Sequence, residues 1–435
     1  MNRLRILYLS SVLFIQYFSF SQSLEINSIQ LGTLVDSLCS QIHRHYIDTT
    51  AIRSMTSSVQ NNYQKGHYSK LSDPYALAAR LTIDIQKACN DAHFHVLFYP
   101  EMLNEITGNI DDVPAMVHKK LEQDRTKNFG FSRAEILPGN IGYLSISQFV
   151  RLNPYSKQAA NTAFSYLKNT IALVIDLRYG SGGSPEMMSF IAGKFFKQPL
   201  KLADIYIRSE NVKLGCVAQP DTISTYFYNK PLVLLVSYRT FSAAEALAYT
   251  LQHQGRAIVI GETTRGGAHI VNYQPLSAGF VADIPLGTFI SSATGTNWEK
   301  KGVQPEVACA HEDALYFAGK YLFEKVLPSI SNTTTGAYEL QKIMFEGRLK
   351  PLQKYDATRY TGTFSTGLLL VESGVLYHQE LGRAKTPMLV INENWIKPAF
   401  NDNYAIELKR DERGNLVGII QYLEDGRQVR GYKTN

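Results

Sequence analysis

Between residues 141 and 261, near-continuous apolar runs alternate with stretches of helical spacing, and few topologies can absorb that pattern. The segments 171–178 (Ile-Ala-Leu-Val-Ile-Asp-Leu-Arg) and 231–238 (Pro-Leu-Val-Leu-Leu-Val-Ser-Tyr) have the length and branched content of strands buried on both faces. Residues 141–147 and 257–261 fit shorter strands, while 159–168, 185–196 and 243–253 fit helices between them. Strand, helix and strand in succession imply crossover connections over a sheet with helices on its faces. The middle of the chain is expected to be α/β.

The flanks read differently. Leu31, Leu34, Val35 and Leu38, then Tyr75, Leu77, Leu81 and Ile85, recur at helical spacing, and Ser72-Asp73-Pro74 supplies a cap and a first-turn proline. Residues 22–110 are therefore expected to form an N-terminal helical domain that ends in a strand near 89–99. Residues 101–127 are polar and irregular, with no element expected. The α/β core is bounded at 111–310. A connector follows at 311–350, with a helix over 312–327 stopped by Pro328, a linker at 331–336 and a short helix over 338–345. From 351 to 435, short strands at 368–371, 375–377, 388–391, 405–409 and 416–422 predict a small all-β accessory domain without a catalytic constellation.

At 435 residues, with 45% hydrophobic and 19% charged content, the chain has ample core for several domains and little expected disorder. A net charge of +6 without a dense Lys/Arg run gives no reason to expect a nucleic-acid partner. Cys39, Cys89, Cys216 and Cys309 are too scattered for a disulfide scaffold or a zinc spacing. Arg3 and Arg5, an apolar stretch over 4–20 and small residues before Gln22 form a secretory signal pattern over residues 1–21. Export to the periplasm or beyond is expected, with no membrane span once the signal is removed; an uncleaved N-terminal anchor is the alternative.

The chemistry concentrates on Thr240-Phe-Ser-Ala-Ala-Glu245. Ser242 stands at a strand-to-helix turn, and the N–H of Ala243 points out of a helix N-terminus, so a nucleophile and an anion site adjoin. Ser242 and Glu245 also fit a capping box, in which the serine only satisfies helix N–H groups. Gly180-Ser-Gly-Gly183 follows a strand, so Gly182 or Gly183 can offer the second donor of an oxyanion hole. It is neither a Walker loop nor a dinucleotide turn. A serine hydroxyl needs a base; His93 is the candidate, with His269 and His95 as rivals, and Glu299 is the carboxylate that would orient it. No metal motif accompanies the His93/His95 pair.

Gly139-Asn-Ile-Gly-Tyr-Leu, Val174 through Gly183, Thr240 through Glu245, Gly255-Arg-Ala-Ile-Val-Ile-Gly-Glu262 and Asn297-Trp-Glu-x-x-Gly-Val-x-Pro305 stand in one order along the chain. Together they resemble the tail-specific (C-terminal-processing) and tricorn-core serine peptidases, in the branch of interphotoreceptor retinoid-binding protein, from about Leu31 to Val307. The resemblance implies a crotonase-like core, Ser242 as nucleophile, Ala243 with Gly182 or Gly183 as oxyanion donors, His93 as base and Glu299 as its partner. Where the serine–lysine branch has a lysine, this chain has Arg265-Gly266-Gly267, which leaves a histidine route; Ala92 stands where the tricorn pattern has a relaying serine. The space for a PDZ module is missing as well. The expectation is a serine-type peptidase acting on peptides or proteins through an acyl-enzyme, needing no cofactor and no metal, with its state of association left open. The alternative is a non-catalytic binder of an apolar small molecule or peptide on the same fold.

Overall fold

The computed structural model describes residues 28–434 apart from 109–112, 331–334, 350–351, 353, 401–403 and 424–425. The expected signal segment and most of the expected 331–336 linker lie outside the described residues.

Three helices come first among the described residues: α1 (Ser28–His45), α2 (Ile52–Gln64) and α3 (Pro74–Cys89). α3 starts where the Asp73 carboxylate accepts the N–H groups of Tyr75 and Ala76, and it stops at Asn90, whose φ of 52° is left-handed. Strand β1 (His95–Phe98) follows. The stretch expected to be irregular instead forms α4 (Pro100–Thr107) and α5 (Val113–Thr126). Pro100 in the first turn and Gly108 at φ +72° punctuate α4. The polar composition of α5 hid it, yet Lys120–Asp124 and Arg125–Glu122 pair along it at helical spacing.

The α/β region runs β2 (Phe131–Leu137), β3 (Ile141–Ile146), α6 (Pro154–Tyr166), β4 (Ala172–Asp176), α7 (Pro185–Gly193), β5 (Leu200–Ile207), β6 (Val212–Ala218), β7 (Leu232–Val236), α8 (Ala243–His253), β8 (Ile258–Gly261), β9 (His269–Pro275), β10 (Phe280–Ser291) and β11 (Val307–Ala308). One sheet has the order β11-β8-β7-β4-β3-β2, with every neighbour parallel except β2 on β3. β4 and β7 are buried along their whole length, as their continuous apolar runs require. On one face Phe164, Met188, Ile191 and Leu247 from α6, α7 and α8 close over Ile175 and Leu234. On the other, Ala314 and Ala318 of α9 (Ala314–Tyr321) cover Val174 and Val233.

A second, antiparallel sheet has the order β1-β10-β5-β6, with β9 also on β10. β10 bridges two cores: Phe280, Ala282 and Ile284 pack with α1 to α3, whereas Phe289 belongs to the α/β core. The three opening helices therefore share their core with this sheet.

The expected 312–327 helix begins at Ala314, widens into a π turn over Leu322–Val326 and runs on as α10 (Leu327–Ile330). Pro328 does not stop it; the proline follows directly on the π turn, where the regular i to i−4 ladder is already interrupted. α11 (Thr335–Leu349) is longer than the expected 338–345. Last comes an eight-stranded antiparallel meander: β12 (Gly362–Phe364), β13 (Gly367–Glu372), β14 (Val375–Glu380), β15 (Thr386–Asn392), β16 (Trp395–Pro398), β17 (Tyr404–Arg410), β18 (Leu416–Leu423) and β19 (Gln428–Tyr432). A bridge from Phe364 to Lys433 nearly closes it into a barrel. The architecture is mixed α/β with a C-terminal β-rich region. No helix among the described residues is long and apolar enough to cross a membrane.

Candidate active site

After β7 the chain turns tightly into α8. Thr240 is fully buried in that turn: its Oγ1 accepts the N–H of Ser237 at 2.9 Å and donates to the Leu177 carbonyl at 2.8 Å. The N–H of Phe241 donates to the Gly180 carbonyl at 3.0 Å. The turn is thereby stitched to the loop that follows β4. Ser242 then takes φ 55° and ψ −121°. An ordinary capping serine is extended with negative φ, and holding a side-chain-bearing residue at positive φ stores ~1–3 kcal/mol. Capping alone does not need that strain. A serine thrust out of a strained strand-to-helix turn is how a nucleophile is exposed.

Gly182 packs against this turn from the β4 loop. At its φ of +87° a Cβ would stand 2.6 Å from the Ser242 Cβ and 3.0 Å from the Ala243 nitrogen. Only glycine allows the two loops to meet so closely. Ala243 opens α8, so its N–H sits at the positive end of the helix dipole.

Glu245, expected only as a capping partner, does more. Its side chain is fully buried, and its carboxylate accepts from the N–H groups of Ser242 (2.9 Å), Gly266 (2.7 Å) and Gly267 (2.9 Å) and from the Thr264 hydroxyl. Burial raises its pKa, against the pull of those four donors. The nucleophile turn and the 264–267 segment are thus fastened to one carboxylate. Gly267 in turn accepts from the indole N–H of Trp298 at 2.8 Å, and the Ala268 N–H donates to Glu299 Oε2 at 2.6 Å.

A narrow cleft, partly open to solvent, adjoins the serine. Ser242, Ala243, Gly183 and His269 line it together with apolar walls that include Met188, Ile270, Phe289 and Trp298. His269 Nδ1 lies 2.8 Å from Asp91 Oδ2 and 3.8 Å from Glu299 Oε1. Asp91 is 1% exposed and also accepts from the Tyr46 hydroxyl at 3.1 Å and the His93 N–H at 3.0 Å. An ionised carboxylate only accepts, so Nδ1 of His269 carries the proton and Nε2 is the nitrogen left for the cleft. Burial pushes the His269 pKa down, but the hydrogen bond and charge of Asp91, with Glu299 behind, raise it overall. Burial likewise pushes Asp91 up, and His269 with the His93 N–H brings it below the ordinary value. Glu299 is raised, chiefly by burial.

His93 is placed differently. Its ring is stacked on Phe241, with centroids 4.3 Å apart, and does not line the cleft. Both ring nitrogens are buried without a hydrogen-bond partner, and Nδ1 is 3.9 Å from Asp91 Oδ1. Burial lowers its pKa to about 4. Gly267 lies directly against it, for a Cβ there would fall 2.5 Å from His93 Cε1. His95 Nδ1 is 3.0 Å from the His93 carbonyl. Ser242, Ala243, Gly183 and His269 thus line one cleft, with Gly182 packed against the serine turn and Glu299 beside the His269 ring, while His93 lies against Gly267 and does not line it. Asp91 and Trp298 were not singled out from sequence, and Glu245 only as a capping partner. Asp91 and His269 are 178 positions apart, and no local pattern announces that contact. Asp91, His269 and Glu299 also have donor atoms within 4.8 Å of one another, the one such group among the described residues with the spacing of a metal site.

The description "Peptidase family S41" fits residues 140–309, and "N-terminal domain of Peptidase_S41 in eukaryotic IRBP" fits residues 22–128. The chain belongs to peptidase family S41. Among its relatives, the chloroplastic carboxyl-terminal-processing peptidase 2 of Arabidopsis thaliana is 29% identical over 190 residues, covering 40% of this chain and 34% of that one. The carboxy-terminal processing protease CtpA of Bacillus subtilis is 23% identical over 248 residues, covering 56% of this chain and 51% of its own. The chain therefore spans a third to a half of the length of these relatives. A solved photosystem II D1 C-terminal processing protease is 28% identical with a TM-score of 0.34, covering 40% of this chain and 43% of that chain.

Proposed function

We propose that the protein is a serine-type peptidase that hydrolyses peptide bonds through an acyl-enzyme on Ser242. The reading is carried by one observation: a strained serine shares a cleft with an imidazole whose Nδ1 is held 2.8 Å from a buried carboxylate. His269 Nε2 takes the Ser242 proton as the hydroxyl attacks the scissile carbonyl, and the imidazolium is stabilised by Asp91 and, at 3.8 Å, Glu299. The N–H groups of Ala243 and of Gly182 or Gly183 hold the oxyanion. The proton returns to the leaving amine, and water repeats the sequence to release the acid. The apolar walls of the cleft suit an apolar substrate side chain. His93, the base expected from sequence, would have to leave its stack on Phe241 to reach the cleft. We place this chemistry on a crotonase-like core over 111–310, with an N-terminal helical domain over 22–110 and accessory β strands over 351–435. We infer export from the 1–21 pattern.

Hydrolysis of a quenched-fluorescence peptide pool tests the reading. Ser242→Ala is expected to lower kcat/KM by at least ~10³-fold, His269→Ala by ~10³-fold and His93→Ala by less than ~10-fold. The reverse order of the two histidines returns the base role to His93. A wild-type protein that binds peptides or apolar ligands and cleaves none supports the binder instead.

A further inference from the structure

Strand β2 forms one edge of the six-stranded sheet: β3 lies on one side of it and no strand on the other. Apart from that pairing, the backbone of residues 132–136 makes no backbone hydrogen bond to any described residue, and Ser132, Arg133, Ala134 and Ile136 are exposed. A free edge of this kind is a template for another strand. Its side chains sort by face. Arg133 and Glu135 stand opposite Ser145 and Tyr143, on the side of the sheet that α9 covers, and they pair with each other. The Arg133 guanidinium also rests 5.2 Å from the Tyr143 ring centroid. Ala134 stands opposite Leu144 on the α6 side, and Ile136, two residues on, shares that side. There an open groove runs beside β2, walled by Phe129, Phe131, Ala159 and the exposed rings of Tyr155 and Tyr166.

The order of charges along this edge suits a second copy of itself. Laid antiparallel with Ala134 opposite its own counterpart, Arg133 of each copy faces Glu135 of the other, and each exposed Ile136 turns toward the other copy's groove. A shift of two residues one way sets Arg133 against Arg133, and the other way Glu135 against Glu135. Charge therefore selects one register, and that register repeats itself under a two-fold axis. A strand charged only to blunt its edge has no need of that order. We propose that β2 pairs antiparallel with β2 of a second copy of this chain about Ala134, which joins the two six-stranded sheets into one. None of these residues lines the Ser242 cleft, so peptide turnover serves as a control for folding and not as the readout.

Sedimentation equilibrium on the full chain is expected to give twice the mass of one chain. Arg133→Glu leaves two acids on the edge and Glu135→Arg leaves two bases, so each variant alone should dissociate at least ~100-fold more readily. An equimolar mixture of the two variants should dimerise again, because every facing pair is then of opposite sign, and raised salt should weaken that heterodimer. Ala134→Cys should form a disulfide-linked dimer on mild oxidation that the wild type does not form, which decides the matter even where a charge variant fails to fold. A wild type that sediments as a single chain up to ~100 µM overturns the pairing. So does a dimer that both charge variants leave intact, a mixture of the folded variants that stays monomeric, or the absence of a cross-link in Ala134→Cys.

Discussion

At the scale of single residues, the decisive feature is the backbone of Ser242. Because φ 55° suits glycine far better than serine, Ser242→Gly should abolish peptide hydrolysis while raising unfolding free energy by ~1 kcal/mol. Chemical denaturation checks the second half; a destabilised glycine variant would show the turn is not strained. The two histidines separate by pH. A base must be unprotonated, and the raised pKa of His269 places the acid limb of kcat/KM above 6.5, whereas His93 in that role would place it near 4. His93 has a separate signature in stability. Its pKa falls from 6.5 to about 4 on folding, so the unfolded chain takes up the proton first and stability drops as pH falls through that window, by ~3 kcal/mol in all. Replacing it with phenylalanine should flatten this part of the stability profile, measured by denaturant midpoints between pH 7 and 4. Turn chemistry marks Ser242 and the glycines as candidates in the sequence, and the Asn297-Trp-Glu299 motif marks Glu299. Which imidazole a carboxylate 178 positions away holds is written in no local segment.

At the scale of elements, the site is a joint between the start of α8 and the 264–267 segment, with Glu245 as its fastener. Glutamine there presents an NH₂ to at least one of four donors. Glu245→Gln should therefore cost ~2–3 kcal/mol of stability and lower kcat by ~10–100-fold with KM little changed, as steady-state kinetics would show. An unchanged kcat would mean that the two segments hold their positions without it. Strands β4 and β7 and helix α8 were readable because a fully buried strand or a capped apolar helix writes its burial into every position. The second sheet was not: no position of β9 is fully buried, so its composition lacks a clear period of two. Helices α4 and α5 were lost to their polar surfaces, although Pro100 and Gly108 bracketed the first of them.

At the scale of the whole molecule, β10 ties the helices α1 to α3 to the sheet that carries His269, so Asp91 from the N-terminal part is brought to the ring that lines the cleft beside Ser242. Trp298 is the keystone between β10 and α8, 2% exposed and packed on Phe289 and Tyr249. Trp298→Ala should cost ~3–5 kcal/mol in unfolding free energy and displace Gly267. The α/β centre and the β-rich end were legible from periodicity, but the near closure of the last sheet, between residues 364 and 433, was not written in any local segment. The central claim is that Ser242 is an activated nucleophile. Intact-mass spectrometry after incubation with a fluorophosphonate measures it most directly: one adduct on the wild type, mapped to Ser242 and missing from Ser242→Ala, is the expected result, and an unmodified wild type or an adduct on another residue would contradict it.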